Sequence, residues 1–129
     1  MKYAKAWKAK QAAFEILYGG WEESYNRLAM VLKAMAAENP GMYYMVEPDG
    51  VRTRIYNDAN VRIFGRAFWT FEPCIRAFKH CRPVMSVDGT FLTSQFKGTL
   101  LIAVANDGGD KLVPLAFALV SAENNDNWE

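Results

Sequence analysis

Three apolar runs near the C-terminal end constrain the fold of this chain most strongly. They read PVMSVDGTFL, GTLLIAVAN and KLVPLAFALV, and the segments between them, TSQFKG and NDGGDK, are rich in turn formers. Short turns join antiparallel neighbours, so the pattern predicts a three-stranded antiparallel sheet over residues 84–120. The central run is apolar without a break, which is typical of a strand covered on both faces. We expect exposed apolar surface on LLIAVA and PLAFALV, because few covering elements are left in a chain of this length.

Two helices are predicted before this region. Tyr3, Trp7, Phe14 and Leu17 fall on one helical face, and Gly19-Gly20 ends the segment. A second stripe recurs at spacings of four and three until Asn39-Pro40-Gly41, and it consists of Trp21, Tyr25, Leu28, Leu32 and Met35. Stripes of this kind usually pack on a neighbouring element. We therefore interpret both as packing faces rather than as binding surfaces for a partner.

Between the helices and the apolar runs, the pattern predicts a hairpin and a short helix. MYYMVE and VRTRIY flank Pro48-Asp49-Gly50, an arrangement that favours a two-stranded ribbon. Residues 61–69 are bulky and carry no clear periodicity. Pro73 at a first-turn position predicts a short helix through Lys79. At the other end, Asn124-Asn125-Asp126 supplies N-cap chemistry for a helix that begins near Trp128.

Composition excludes several classes of protein. Hydrophobic residues make up 51% of the 129 residues, enough to build a core. The net charge of +1 gives no overall signal for nucleic acid binding. Two cysteines and the lack of a secretory leader favour a reducing, intracellular compartment, and no apolar stretch approaches the ~20 residues of a membrane helix. Nothing indicates a small-molecule substrate.

Asp88 is the candidate catalytic residue, because aspartate is depleted in strands and this one lies inside an apolar run. Two interpretations are open. Local pattern alone favours an ordinary Asp88-Gly89 turn. The order of elements, a strand with a central acid, two antiparallel strands and then a helix, is instead that of the start of an RNase H fold, in which the first strand delivers a carboxylate to a divalent metal pair.

Residues 78–129 resemble the Mutator-like (MULE) transposase domain of plant genomes. The similarity rests on the DGTF, KGTLL, PLAFA and ENNDNWE motifs in order and at close spacing, and YGGWEESYNRL and NPGMYYMVE resemble the segment that precedes that domain. The resemblance implies a DDE-type core in which Asp88 is the first metal-binding acid. It also implies that the second Asp and the final Glu of the family are to be expected beyond residue 129, so Glu123 and Glu129 are not assigned to those roles.

The resemblance also implies a cofactor and a fold class. Cores of this type use two divalent ions, Mg²⁺ or Mn²⁺, which one carboxylate cannot hold, so we expect no metal bound and no nuclease activity for this fragment alone. The expected fold is α+β: N-terminal helices and a small hairpin, then the first three antiparallel strands and the helix start of an incomplete RNase H-like core. The expected divisions are 1–40 (helical), 41–82 (hairpin and short helices) and 83–129 (transposase domain).

Two further clusters can be weighed. Cys74, His80 and Cys81 lack a CxxC pair and a fourth ligand, so we reject a zinc site. Residues 51–82 carry a basic excess, and Arg52 and Arg54 share a strand face, which makes them the candidate DNA-binding pair. A solvated basic face explains the same pattern equally well.

Three functional hypotheses remain open. The first is a nuclear fragment of a transposase whose parent binds transposon ends and cuts DNA; whether this chain is itself an enzyme stays undecided. The second is a domesticated DNA-binding transcription regulator of the plant far-red-response type, and the third is a decayed remnant. Self-association through exposed core surface is expected under any of them.

Overall fold

The computed structural model describes residues 3–49, 63–92 and 98–121. Within these ranges the chain has an α+β architecture. Its elements in chain order are α1 (Tyr3–Tyr18), α2 (Trp21–Glu38), β1 (Tyr43–Pro48), β2 (Phe64–Thr70), α3 (Glu72–Phe78), β3 (Met85–Phe91), β4 (Thr99–Asn106) and β5 (Leu112–Val120).

The helices begin and end where the local sequence signals indicate, so the three predicted helices are confirmed. Gly19 follows α1 and Gly41 lies shortly after α2, and both adopt a left-handed φ of 83°. This conformation suits glycine at a helix C-terminus because it has no Cβ to clash with the following backbone. Pro73 lies in the first turn of α3, where its missing N–H costs no hydrogen bond. The helix expected near Trp128 lies outside the described residues.

One five-stranded antiparallel sheet organises the described part of the chain, in the order β1-β2-β5-β4-β3. Three of its strands, β3 to β5, form the predicted meander, with β4 between its two neighbours. The prediction that residues 84–120 form three antiparallel strands, with Asp88 on the first, is therefore confirmed. β3 is an edge strand of the described sheet.

The first strand of the predicted hairpin is present as β1, and its partner among the described residues is β2. β1 pairs with β2, in a register that runs from Tyr43 opposite Thr70 to Pro48 opposite Phe64. The Pro48-Asp49-Gly50 turn signal favours a partner immediately after it, yet β2 is also held by β5, where Arg66 lies opposite Val120. Long-range pairing on both sides thus stabilises β2 as the partner of β1, and residues 51–56 lie outside the described residues.

The core lies on the inner part of the sheet and under α2. Its most buried apolar side chains are Leu32, Ala67, Leu101, Ala105, Leu115 and Val120. The expected exposure of LLIAVA and PLAFALV is also wrong: apart from Pro114, these residues are buried or half-buried. β4 and β5 each have a strand on both sides, whereas all seven residues of the edge strand β3 are exposed.

Candidate functional site

Asp88 lies in the middle of β3, directly opposite Ile102 of β4. Asp88-Gly89 is therefore part of a strand and not a turn. Gly89 fits this position closely, because a Cβ there would come within 3.1 Å of the Leu101 side chain. Both faces of β3 are open to solvent at this point, so the Asp88 carboxylate is accessible from outside the sheet.

The surroundings of Asp88 on its face of the sheet are apolar. Residues directly opposite in an antiparallel pair share a face, and the registers place Asp88, Ile102, Phe117 and Trp69 in one row across four strands. The rings of Trp69 and Phe117 stack at a centroid distance of 5.7 Å. Asp88 is thus an acid at the exposed end of a half-buried apolar row.

One oxygen of the Asp88 carboxylate already has a partner. Oδ1 accepts a hydrogen bond of 2.9 Å from the backbone N–H of Gly89. Such a bond satisfies an edge-strand amide and orients the side chain. Among the described residues no other contact of this carboxylate is seen, so its second oxygen is available to solvent or to a cation.

The described residues do not form a complete metal site around Asp88. They contain no cluster of three or more His, Cys, Asp or Glu side chains. Asp107 Oδ1 accepts from the N–H groups of Gly109 and Lys111 in the β4–β5 turn, and Asp110 pairs with Arg82 at 2.8 Å. These two acids stabilise the turn. Asp88 therefore fits one carboxylate ligand of a divalent ion, and not the full set that two ions require.

The basic residues of the 51–82 segment are largely neutralised where they are described. Arg66 pairs with Glu47, Arg76 with Glu72 and Arg82 with Asp110, each at 2.8 Å. Lys79 forms no ion pair within the described ranges. Arg52 and Arg54, the candidate DNA-binding pair, lie outside them. The charge balance of residues 51–82 does not include Glu47 and Asp110, which lie outside the segment, whereas Glu72 and Arg76 are an i,i+4 pair on α3.

Cys74, His80 and Cys81 are placed on and just after α3. Cys81 Sγ donates to the Ala77 carbonyl at 3.3 Å, Cys74 is half-buried, and His80 is exposed. The described residues show no contact that joins the three side chains.

Sequence reasoning missed a second surface. The stripe on α1, interpreted as a packing face, is exposed: Tyr3 is 84%, Trp7 50%, Phe14 49% and Leu17 72% accessible. A signal was present, because Lys10 interrupts the stripe at its centre.

None of the described helices is long and apolar enough to cross a membrane.

The geometry described so far defines the class of the protein: an α+β chain with an accessible acid in the middle of a strand. Comparison with known families adds to it: residues 84–129 match the model of the MULE transposase domain. This match covers β3, β4 and β5 and includes Asp88. No curated protein and no solved structure matches the chain. The C-terminal part of the chain is thus similar to a Mutator-like transposase domain, which links it to DNA transposition in general.

Proposed function

We propose that the chain is part of a plant-type Mutator-like DNA transposase, and that β3 to β5 are the first three strands of its RNase H-like core. One observation carries the proposal: the only acid on β3 lies at mid-strand, exposed, within the segment that matches the transposase domain. A buried Asp88 would not have been accessible to a metal ion.

Asp88 would supply one oxygen ligand to a divalent ion. When two such ions are bound, they activate the attacking oxygen and stabilise the leaving oxygen of the phosphodiester. Mg²⁺ prefers hard oxygen ligands and keeps several waters and substrate oxygens, which suits an exposed carboxylate. The role of Asp88 itself is to hold charge at a fixed point on the sheet edge, with Oδ1 oriented by the Gly89 N–H. The second and third acids would come from outside this chain, so it cuts no DNA alone.

DNA contact in this proposal falls to Arg52 and Arg54. The described arginines of the same segment are already paired with carboxylates, so they have less charge to offer a phosphate backbone. The parent protein would act on transposon ends in the nucleus.

A second candidate function is a domesticated, non-cleaving DNA-binding regulator. The specific observation in its favour is the lone carboxylate at the site, since the described residues contain no cluster of metal ligands. Both candidates predict DNA binding, and they differ in whether metal at Asp88 matters.

The test uses purified chain and duplex DNA with Mg²⁺ or Mn²⁺. We expect salt-sensitive, sequence-independent binding and no cleavage. The double variant Arg52→Ala/Arg54→Ala should lower the salt-dependence slope by roughly 1.8, about 0.9 for each lost phosphate contact, whereas Arg76→Ala, whose side chain pairs with Glu72, should leave it unchanged.

Two results would contradict the proposal. If the double variant has the same salt-dependence slope as the wild-type chain, Arg52 and Arg54 do not contact the DNA. Metal-dependent cleavage by the wild-type chain that disappears in Asp88→Asn would show that the chain holds a complete site of its own.

A further inference from the structure

The exposed face of α1 has the spacing of a helix-pairing seam. Tyr3, Trp7, Lys10, Phe14 and Leu17 follow one another at intervals of four, three, four and three residues. This is the alternation of the a and d positions in a heptad pattern, which brings side chains to one side of a helix so that they pack against a second helix. We call these five residues the α1 seam.

No part of the chain within residues 3–49, 63–92 and 98–121 covers the α1 seam. α1 contains no buried residue, and the seam aromatics have accessibilities of 49% to 84%. The recorded contacts of the seam side chains are within α1 itself: Lys10 Nζ lies 5.6 Å from the centroid of the Phe14 ring, and the Phe14 and Tyr18 rings are 5.5 Å apart. These large apolar side chains are exposed to water on an ordered helix. Their burial against a partner would contribute favourable free energy to binding.

The charges of α1 indicate the chemistry of that partner. α1 contains three lysines, Lys5, Lys8 and Lys10, and one acidic residue, Glu15. The first turn of the helix has no acidic residue. The positive end of the helix dipole lies at the same end as the lysines. An acidic partner is therefore favoured, and a carboxylate opposite Lys10 would pair the one charge in the middle of the seam.

We propose that the α1 seam binds an amphipathic helix of an acidic partner protein. A second copy of α1 fits less well, because each helix carries excess positive charge and the antiparallel pairing centred on the seam places Lys10 against Lys10. DNA would neutralise the lysines but leave Trp7, Phe14 and Leu17 in water. Only an acidic helix with an apolar stripe satisfies both features. The inference is independent of the proposed function, because it uses none of residues 84–129.

The experiment uses the full chain and a fluorescent synthetic peptide of about three heptads. The peptide has Leu at a and d, Glu at e and g, and one Glu at the d position that faces Lys10. We expect saturable binding by fluorescence anisotropy, weakened about tenfold or more in Trp7→Ala/Phe14→Ala. Lys10→Glu should weaken it similarly through like-charge contact. Ile16→Ala is the matched control, because Ile16 is 84% exposed on the opposite side of α1, and its affinity should stay within about twofold.

Other outcomes overturn the inference. If a scrambled peptide of the same composition binds as tightly as the designed peptide, charge alone explains the binding. Loss of DNA binding in Lys10→Glu, with no peptide binding, would make α1 a nucleic acid contact. A concentration-dependent dimer that Trp7→Ala/Phe14→Ala dissociates would make the seam a self-association surface.

Discussion

α1 and α2 are consecutive helices of similar length, each with an apolar stripe. The stripe of α2 packs against the sheet, whereas the stripe of α1 is exposed. α2 packs on the sheet: Leu32 is 2% exposed, and the ring of Tyr25 lies 4.9 Å from that of Phe64 on β2. The same burial raises the pKa of the Tyr25 hydroxyl, because the charged form loses hydration. α1 buries nothing. Stripe periodicity therefore identifies a helix, whereas packing depends on what the rest of the chain offers.

The largest expected difference between the two helices concerns the same substitution at two leucines. Leu32→Ala should lower the free energy of unfolding by about 2–5 kcal/mol, because it removes a buried side chain and leaves a cavity. Leu17→Ala, at a side chain that is 72% exposed, should change it by less than about 0.5 kcal/mol. Urea denaturation followed by circular dichroism measures both. Equal losses would mean that α1 packs on the chain in solution.

A smaller difference is expected at the glycines that follow the two helices, which share a φ of 83°. Alanine in this conformation costs about 1–2 kcal/mol at either site. At Gly41 the added Cβ would also lie 2.7 Å from the Cβ and Cγ atoms of Glu72, whereas at Gly19 it meets the mobile carboxylate end of Glu23. We expect Gly41→Ala to destabilise by about 2–3 kcal/mol and Gly19→Ala by about 1 kcal/mol. A reversed order in thermal unfolding would contradict the close approach of the Glu72 side chain to Gly41.

Local signals predicted the elements well and their partners less well. The helices and the meander follow from periodicity, glycine positions and turn formers, all of which act within a few residues. The pairing of β1 with β2 could not be predicted, because β2 is also held by β5, some fifty residues further along. The α1 stripe was misinterpreted for a related reason: sequence period cannot show whether a facing surface exists.

At the candidate site, the sequence predicted the position of Asp88 on a strand through its resemblance to the transposase domain, since local pattern favoured a turn. It could not predict that Oδ1 would accept the Gly89 N–H, or that Arg66 and Arg82 would pair with Glu47 and Asp110. These contacts depend on side-chain geometry that composition does not contain. The chemistry assigned to Asp88 therefore remains a prediction.

Paramagnetic Mn²⁺ broadening of backbone amide NMR signals tests that prediction most directly. It detects the brief contact of one ion with a single carboxylate, which falls short of the bound metal pair that this chain is not expected to hold. Asp88→Asn is the informative variant, since its amide oxygen can still accept from Gly89 while the charge is lost. Asp110→Asn, at an exposed acid of the β4–β5 turn, is the control. We expect broadening at Asp88 and Gly89 in the wild-type chain and the control, and none there in Asp88→Asn. Broadening that survives in Asp88→Asn, or that is confined to residues 107–110, would contradict it.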